Sequence, residues 1–100
     1  MVRVEHIGIA VKNLREVNDL YTKLFGETPY KSEKVESEHV ETSFFKVGDT
    51  KIEFLEASKE DSAIAKYIEK KGQGIHHIAF EVDDIEEEMK RLEKEGFQLI

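Results

Sequence analysis

Two histidines head nearly the same apolar phrase at opposite ends of this chain. The first reads Glu5-His6-Ile7-Gly8-Ile9-Ala10-Val11 and the second His76-His77-Ile78-Ala79-Phe80-Glu81-Val82. A neutral imidazole is a common ligand for divalent transition metals. A strand written twice, with its histidine in the same place, offers two half-sites that meet when the halves of the fold pair. Successive side chains in a strand point to opposite faces. His6 therefore shares a face with Gly8 and Ala10, opposite the bulky Ile7, Ile9 and Val11. His77 shares a face with Ala79 and Glu81, opposite Ile78, Phe80 and Val82. The bulky face of each phrase is expected to pack on the helix of its own module. His6 and His77 are then expected to look away from the helices, beside small residues that leave room for a ligand. His76 has the opposite parity and is expected to be structural or half-exposed.

Glu53 lies between Ile52 and Phe54 in a run of alternating pattern, so it is expected on the same side as the two histidines. Two imidazoles and one carboxylate suit a divalent transition metal. Taken singly, a strand histidine is more often a hydrogen-bonded core or surface residue, and a strand glutamate is more often solvent-facing. It is the duplication that favours ligands here. The acidic run Asp83–Glu88 reads as a solvated helix start, favoured by the helix dipole. His39 falls in a polar loop and is assigned no role. Glu41 and Thr42 are neighbours on a strand, so only one of them can face the cleft.

The elements that must position these residues follow from pattern. Residues 3–11 alternate as a strand. Asn13 and Glu16 have capping-box spacing, and Val17, Leu20, Tyr21, Leu24 and Phe25 recur at helical intervals before Gly26. Residues 28–36 read as a turn and a weak exposed strand, 40–47 as a second strand, and Lys51–Glu56 as a third after the Gly48-Asp49 turn. The first module, about 1–56, is thus β-α-β-β-β. Residues 57–72 form a connector with a short helix carrying Ile64, Ala65 and Ile68, with Ser58 and Asp61 as possible caps. A second module, 73–100, repeats the opening strand. Asp83 and Glu86 repeat the capping spacing, Ile85, Met89 and Leu92 mark an inner helical stripe, and Gly96 ends the helix. Phe97–Ile100 reads as the start of another strand, so the second module is expected to be incomplete. Taken whole, the pattern predicts one α+β domain over 1–100.

Composition narrows the function classes. Hydrophobic residues make up 39% and charged residues 37%, with a formal net charge of −7. That balance argues against nucleic acid, whose phosphates it would repel, and against an anionic membrane surface. There are no cysteines, which removes disulfides, thiolate metal sites and cysteine nucleophiles. No signal-peptide pattern or long apolar run is present, so a soluble cytoplasmic protein is the expectation. No phosphate-binding glycine loop, nucleophile elbow or dinucleotide fingerprint occurs. Metal-assisted chemistry is the one reaction type with positive support.

The phrases Val4–Val11, Val47–Glu56 and Asp61–Lys66, together with Gly72–Ile85 and its double histidine, carry a family resemblance. The chain resembles the vicinal oxygen chelate (glyoxalase-like) superfamily and, within it, the methylmalonyl-CoA epimerases. The resemblance implies paired βαβββ modules forming a curved mixed sheet, with a metal site on the concave surface. It carries the ligand role to His6, Glu53 and His77, with Co2+ or Mn2+ as the ion, and implies no redox cofactor. The family's fourth ligand, a glutamate late in the second module, would fall beyond Ile100, as would the carboxylate most often credited with proton transfer. A further family base on the second strand aligns with Thr42. The implied partner is a CoA thioester, epimerised by loss and return of its α-proton, in a homodimer. A glyoxalase I-type lyase or a non-catalytic fragment are the alternative readings.

Overall fold

Asn13 opens the first helix as its spacing to Glu16 suggests: its side chain, in extended backbone, accepts a hydrogen bond from the Glu16 amide. Gly26 closes that helix at φ 75°, a left-handed conformation that only glycine adopts without strain. A computed structural model describes residues 1–100. In chain order the elements are β1 (Arg3–Ala10), α1 (Leu14–Phe25), β2 (Lys31–Val35), β3 (Val40–Val47), β4 (Thr50–Ala57), α2 (Ala63–Lys71), β5 (Gly74–Glu81) and α3 (Ile85–Lys94). A single 3-10 turn, Glu36–Glu38, joins β2 to β3.

The strands form one open mixed sheet in the order β2-β3-β4-β1-β5. β1 and β4 run parallel, which requires the α1 crossover between them, and the other pairs are antiparallel. α1 packs on one face of this sheet. Val11, Leu14, Phe45 and Phe54 are buried there, with Ile9, Val17, Tyr21, Phe25 and Ile52 against them. The aromatic rings of Tyr21 and Phe54 lie 4.7 Å apart and those of Phe25 and Phe45 5.3 Å. Leu20 and Leu24, which recur with these residues at helical intervals, face solvent.

The connector helix does more than join the modules. α2 packs on the opposite, concave face, where Ile64 is buried with Ala10, Val40 and Leu55. Its cap is Ser62, whose side chain accepts from the Ala65 amide, rather than Ser58 or Asp61. The face opposite α1 is thus partly roofed, which alternation within the strands could not reveal.

The second module contributes β5 and α3. α3 is capped by Asp84 with the Glu87 amide, one residue beyond the Asp83–Glu86 pair. Phe97–Ile100 forms no strand. The helix's stripe is not an inner one here: Ile85 is 63% exposed and the β5 side chains Ile78 and Phe80 are about half exposed. α1 packs over β3 and β4 with Ile9 of β1 against it, whereas α3 makes no extensive contact with any strand.

Candidate metal centre

Register brings the sequence-selected residues together at one glycine. In the parallel pair Gly8 sits opposite Glu53 and His6 opposite Lys51. In the antiparallel pair Gly8 sits opposite His77, and His6 opposite Ala79. The His77 ring lies directly over Gly8: a Cβ built on that glycine would fall 2.1 Å from His77 Cε1. Gly8 is therefore required for space rather than for backbone conformation. His6 Nε2 and His77 Nε2 are 3.0 Å apart. Glu53 Oε1 lies 3.8 Å from His6 Nε2 and 3.5 Å from His77 Nε2. The three residues are the one group of histidine, aspartate or glutamate side chains whose ligand atoms converge in this way.

Two β-bulges shape the centre. Between β1 and β5, Val4 pairs with Phe80 and His6 with Ala79, leaving Glu5 as an extra residue on β1. Gly8 pairs with His77 and Ile9 with Ile75, leaving His76 as an extra residue on β5. A bulge breaks the strict alternation of faces. Glu5 accordingly turns to the same side as His6, and its Oε1 lies 2.6 Å from His6 Nδ1. His76 turns toward His77, with their Nδ1 atoms 3.0 Å apart. The expectation that His76 has opposite parity to His77 is thus corrected: the bulge brings it beside the centre, where its ring also meets Tyr67 edge-on at 4.9 Å. Tyr67 in turn donates to the Ile75 carbonyl at 2.5 Å, tying α2 to the bulged strand.

The two imidazoles sit in different electrostatic settings. Glu5 also accepts from Lys51 Nζ at 2.8 Å. Hydrogen bonds from His6 and Lys51 hold the Glu5 carboxyl well below its ordinary 4.5, at about 2. A carboxylate only accepts, so His6 Nδ1 carries the hydrogen and its Nε2 keeps the lone pair when the ring is neutral. Burial lowers the pKa of His77, and the pull of Glu53 only partly offsets this, so the neutral form is favoured.

Beside Glu53 and His77 opens a cavity of about 220 Å³. Its apolar wall includes Val35, Val40, Leu55 and Ile64, and Glu38 and His76 also line it. Thr42 lines it too; it is 2% exposed, and its Oγ1 is buried without a hydrogen-bond partner. The strand question posed by Glu41 and Thr42 is answered by geometry. Of the two, Thr42 alone lines this cavity, while both border a separate cleft beside the start of α1 with Asn18 and Arg15. Glu5, Lys51 and the α2 wall are contributions that alternation along a single strand does not reveal.

The residues fit a divalent ion. Ligands about 2.1 Å from a shared ion lie about 3.0–3.4 Å apart, close to the donor spacings observed. Two imidazole nitrogens facing each other at 3.0 Å can share a hydrogen or turn their lone pairs to a common cation, and the Glu53 carboxylate beside them adds an oxygen donor for such an ion. The profile of the Glyoxalase/Bleomycin resistance protein/Dioxygenase superfamily matches residues 5–100. The chain belongs to this superfamily. It is 38% identical over 100 residues to the uncharacterized protein YqjC of Bacillus subtilis (strain 168), covering 71% of that protein. It is 36% identical over 99 residues to the mitochondrial methylmalonyl-CoA epimerase of Dictyostelium discoideum, of which it spans 60%. A solved methylmalonyl-CoA epimerase in complex with methylmalonyl-CoA and NH4+ superposes with a TM-score of 0.86 at 30% identity, over 98% of this chain and 72% of that one. These relatives support an epimerase-like enzyme class and a small-molecule ligand. No helix is long and apolar enough to cross a membrane.

Proposed function

We propose that this chain belongs to a metal-dependent epimerase that interconverts the (R) and (S) forms of methylmalonyl-CoA. The observation that carries the reading is the convergence of His6, Glu53 and His77 on one point beside a small, half-apolar cavity. The relatives named as methylmalonyl-CoA epimerases support the choice of substrate over a glyoxalase I-type lyase. His6 and His77 would hold the ion through Nε2 and Glu53 through its carboxylate, with Co2+ or Mn2+ as the ion. When bound there, a divalent ion supplies Lewis acidity that stabilises the charge developing on a thioester as its α-proton leaves.

The chain's own residues do the rest. Val35, Val40, Leu55 and Ile64 line the wall that the acyl group would meet and limit water around the acidic carbon. Thr42 has a free hydroxyl inside the cavity for one polar contact with that group. Glu38, the lining carboxylate besides Glu53, is the group we assign to exchange a proton with the α-carbon from the cavity side. The two open sheet edges, β2 and β5, support a homodimer, which sedimentation velocity checks.

The test is exchange of the α-proton of methylmalonyl-CoA in D2O, followed by NMR, with Co2+ content measured on the same protein. The parent chain should retain Co2+ weakly and exchange the proton slowly. His6→Ala and His77→Ala should lose both, while Glu38→Gln should slow exchange and leave Co2+ in place. A parent protein that retains no Co2+ and exchanges no proton would sink the epimerase reading.

A further inference from the structure

Each candidate ligand histidine is immediately preceded by a residue that a bulge has turned onto its own face, yet the two neighbours differ. His77 has an imidazole, His76, at its Nδ1, and a second imidazole can serve there as donor or as acceptor. His6 has a carboxylate, which can only accept. That carboxylate is not free to wander, because Lys51 on the adjacent parallel strand, paired in register with His6, holds its other oxygen at 2.8 Å. The result is a three-member chain, Lys51 Nζ to Glu5 to His6 Nδ1, ending with His6 Nε2 aimed at His77 and Glu53. The Lys51 side chain is 41% exposed, so removal of Glu5 leaves no buried charge behind.

We propose that Glu5, anchored by Lys51, is the positioning residue of His6: it fixes the Nδ1–H tautomer and the ring orientation, so that Nε2 presents its lone pair to a divalent cation. A carboxylate on the distal nitrogen both orients a ligand imidazole and raises its basicity, and losing such a partner typically weakens metal binding about 10–100-fold. The β1 bulge is the device that makes this possible, since in an unbroken strand Glu5 would point to the α1 face.

The inference rests on the reading of His6 as a metal ligand, so its test begins without metal. Long-range 15N–1H NMR on the metal-free chain reports which ring nitrogen of His6 carries the hydrogen. The parent should show the Nδ1–H form. Glu5→Ala should move the population toward Nε2–H and weaken Co2+ binding about 10–100-fold by calorimetry. Lys51→Met should give a smaller change of the same sign in both readouts. Far-UV circular dichroism of the variants should match the parent. The proposal is overturned if Glu5→Ala keeps the Nδ1–H tautomer, or if it shifts the tautomer while binding Co2+ as tightly as the parent. A parent that binds no Co2+ defeats the metal reading alone, and the tautomer result still decides whether Glu5 orients His6.

Discussion

The two modules begin with the same strand phrase and the same capped helix, and they end in opposite states of burial. In the first, the side chains after His6 meet α1 over a bed that also includes Phe45 and Phe54; Leu14 of the helix is buried, and Val17, Tyr21 and Phe25 are partly so. In the second, Ile78 and Phe80 follow His77 in the same rhythm, yet they remain half exposed. The difference is that α1 lies against several strands, while α3 makes no extensive contact with any. A helix about 10 Å across needs two or three strands, about 4.8 Å apart, to cover its apolar face. Periodicity states which face is apolar; the width of sheet on offer decides whether that face is buried. Even so, each module delivers its histidine to the centre, because β1 and β5 are neighbours and their pairing does not depend on either helix.

The comparison can be broken most forcefully in the cores. Phe54 is 1% exposed, and Phe54→Ala should cost about 3–5 kcal/mol of stability. The matching change Phe80→Ala, at a side chain 51% exposed, should stay within about 0.5 kcal/mol. Urea denaturation of both variants checks this, and equal losses would mean that β5 is as well covered in solution as β4. A second test targets what each module gives to the centre: the first gives the glycine floor and the second the ring above it. Gly8→Ala should force the His77 imidazole aside and weaken Co2+ binding about 10-fold or more, the scale of losing ligand orientation, while the fold persists. An unchanged Co2+ titration would show that the ring can move without loss.

The smallest expected effect sharpens the contrast between the two histidine partners. Glu5 has a folded-state pKa of about 2 against an ordinary 4.5. A lowered carboxyl pKa adds stability that is fully present above the unfolded value and is lost as pH falls through the folded one. The stability difference between the parent and Glu5→Gln should therefore shrink as pH drops from 4.5 toward 2. Urea midpoints measured through that range should converge, and parallel curves would show that the ion pair contributes nothing in solution.

Much of this was legible in the sequence because it was periodic. The strand positions, the Asn13 cap, the Gly26 stop and the shared face of His6, Gly8 and Glu53 all follow from local pattern. What escaped was whatever depended on a neighbouring strand or on counting residues across one. Bulges are insertions relative to a partner, so the reading of His76 by alternation along β5 alone had no means to find the extra residue there. Glu5 was missed for the same reason. α2 was read as a connector because its residues carry no sign of which face they will cover. Its packing with Ala10 and Leu55 is set by tertiary space.

The two bulges lie on opposite strands, and the pairing they shift over His6–Gly8 returns to its former register on both sides. They therefore cancel. A one-residue deletion at Glu5 would leave the His76 insertion uncompensated and slip the rest of β1 against β5, turning a whole row of side chains inside out. Deleting Glu5 and His76 together would restore the ladder. Two positions seventy-one residues apart are thus coupled through the register of one strand pair, so that a length change at either is expected to need its counterpart at the other.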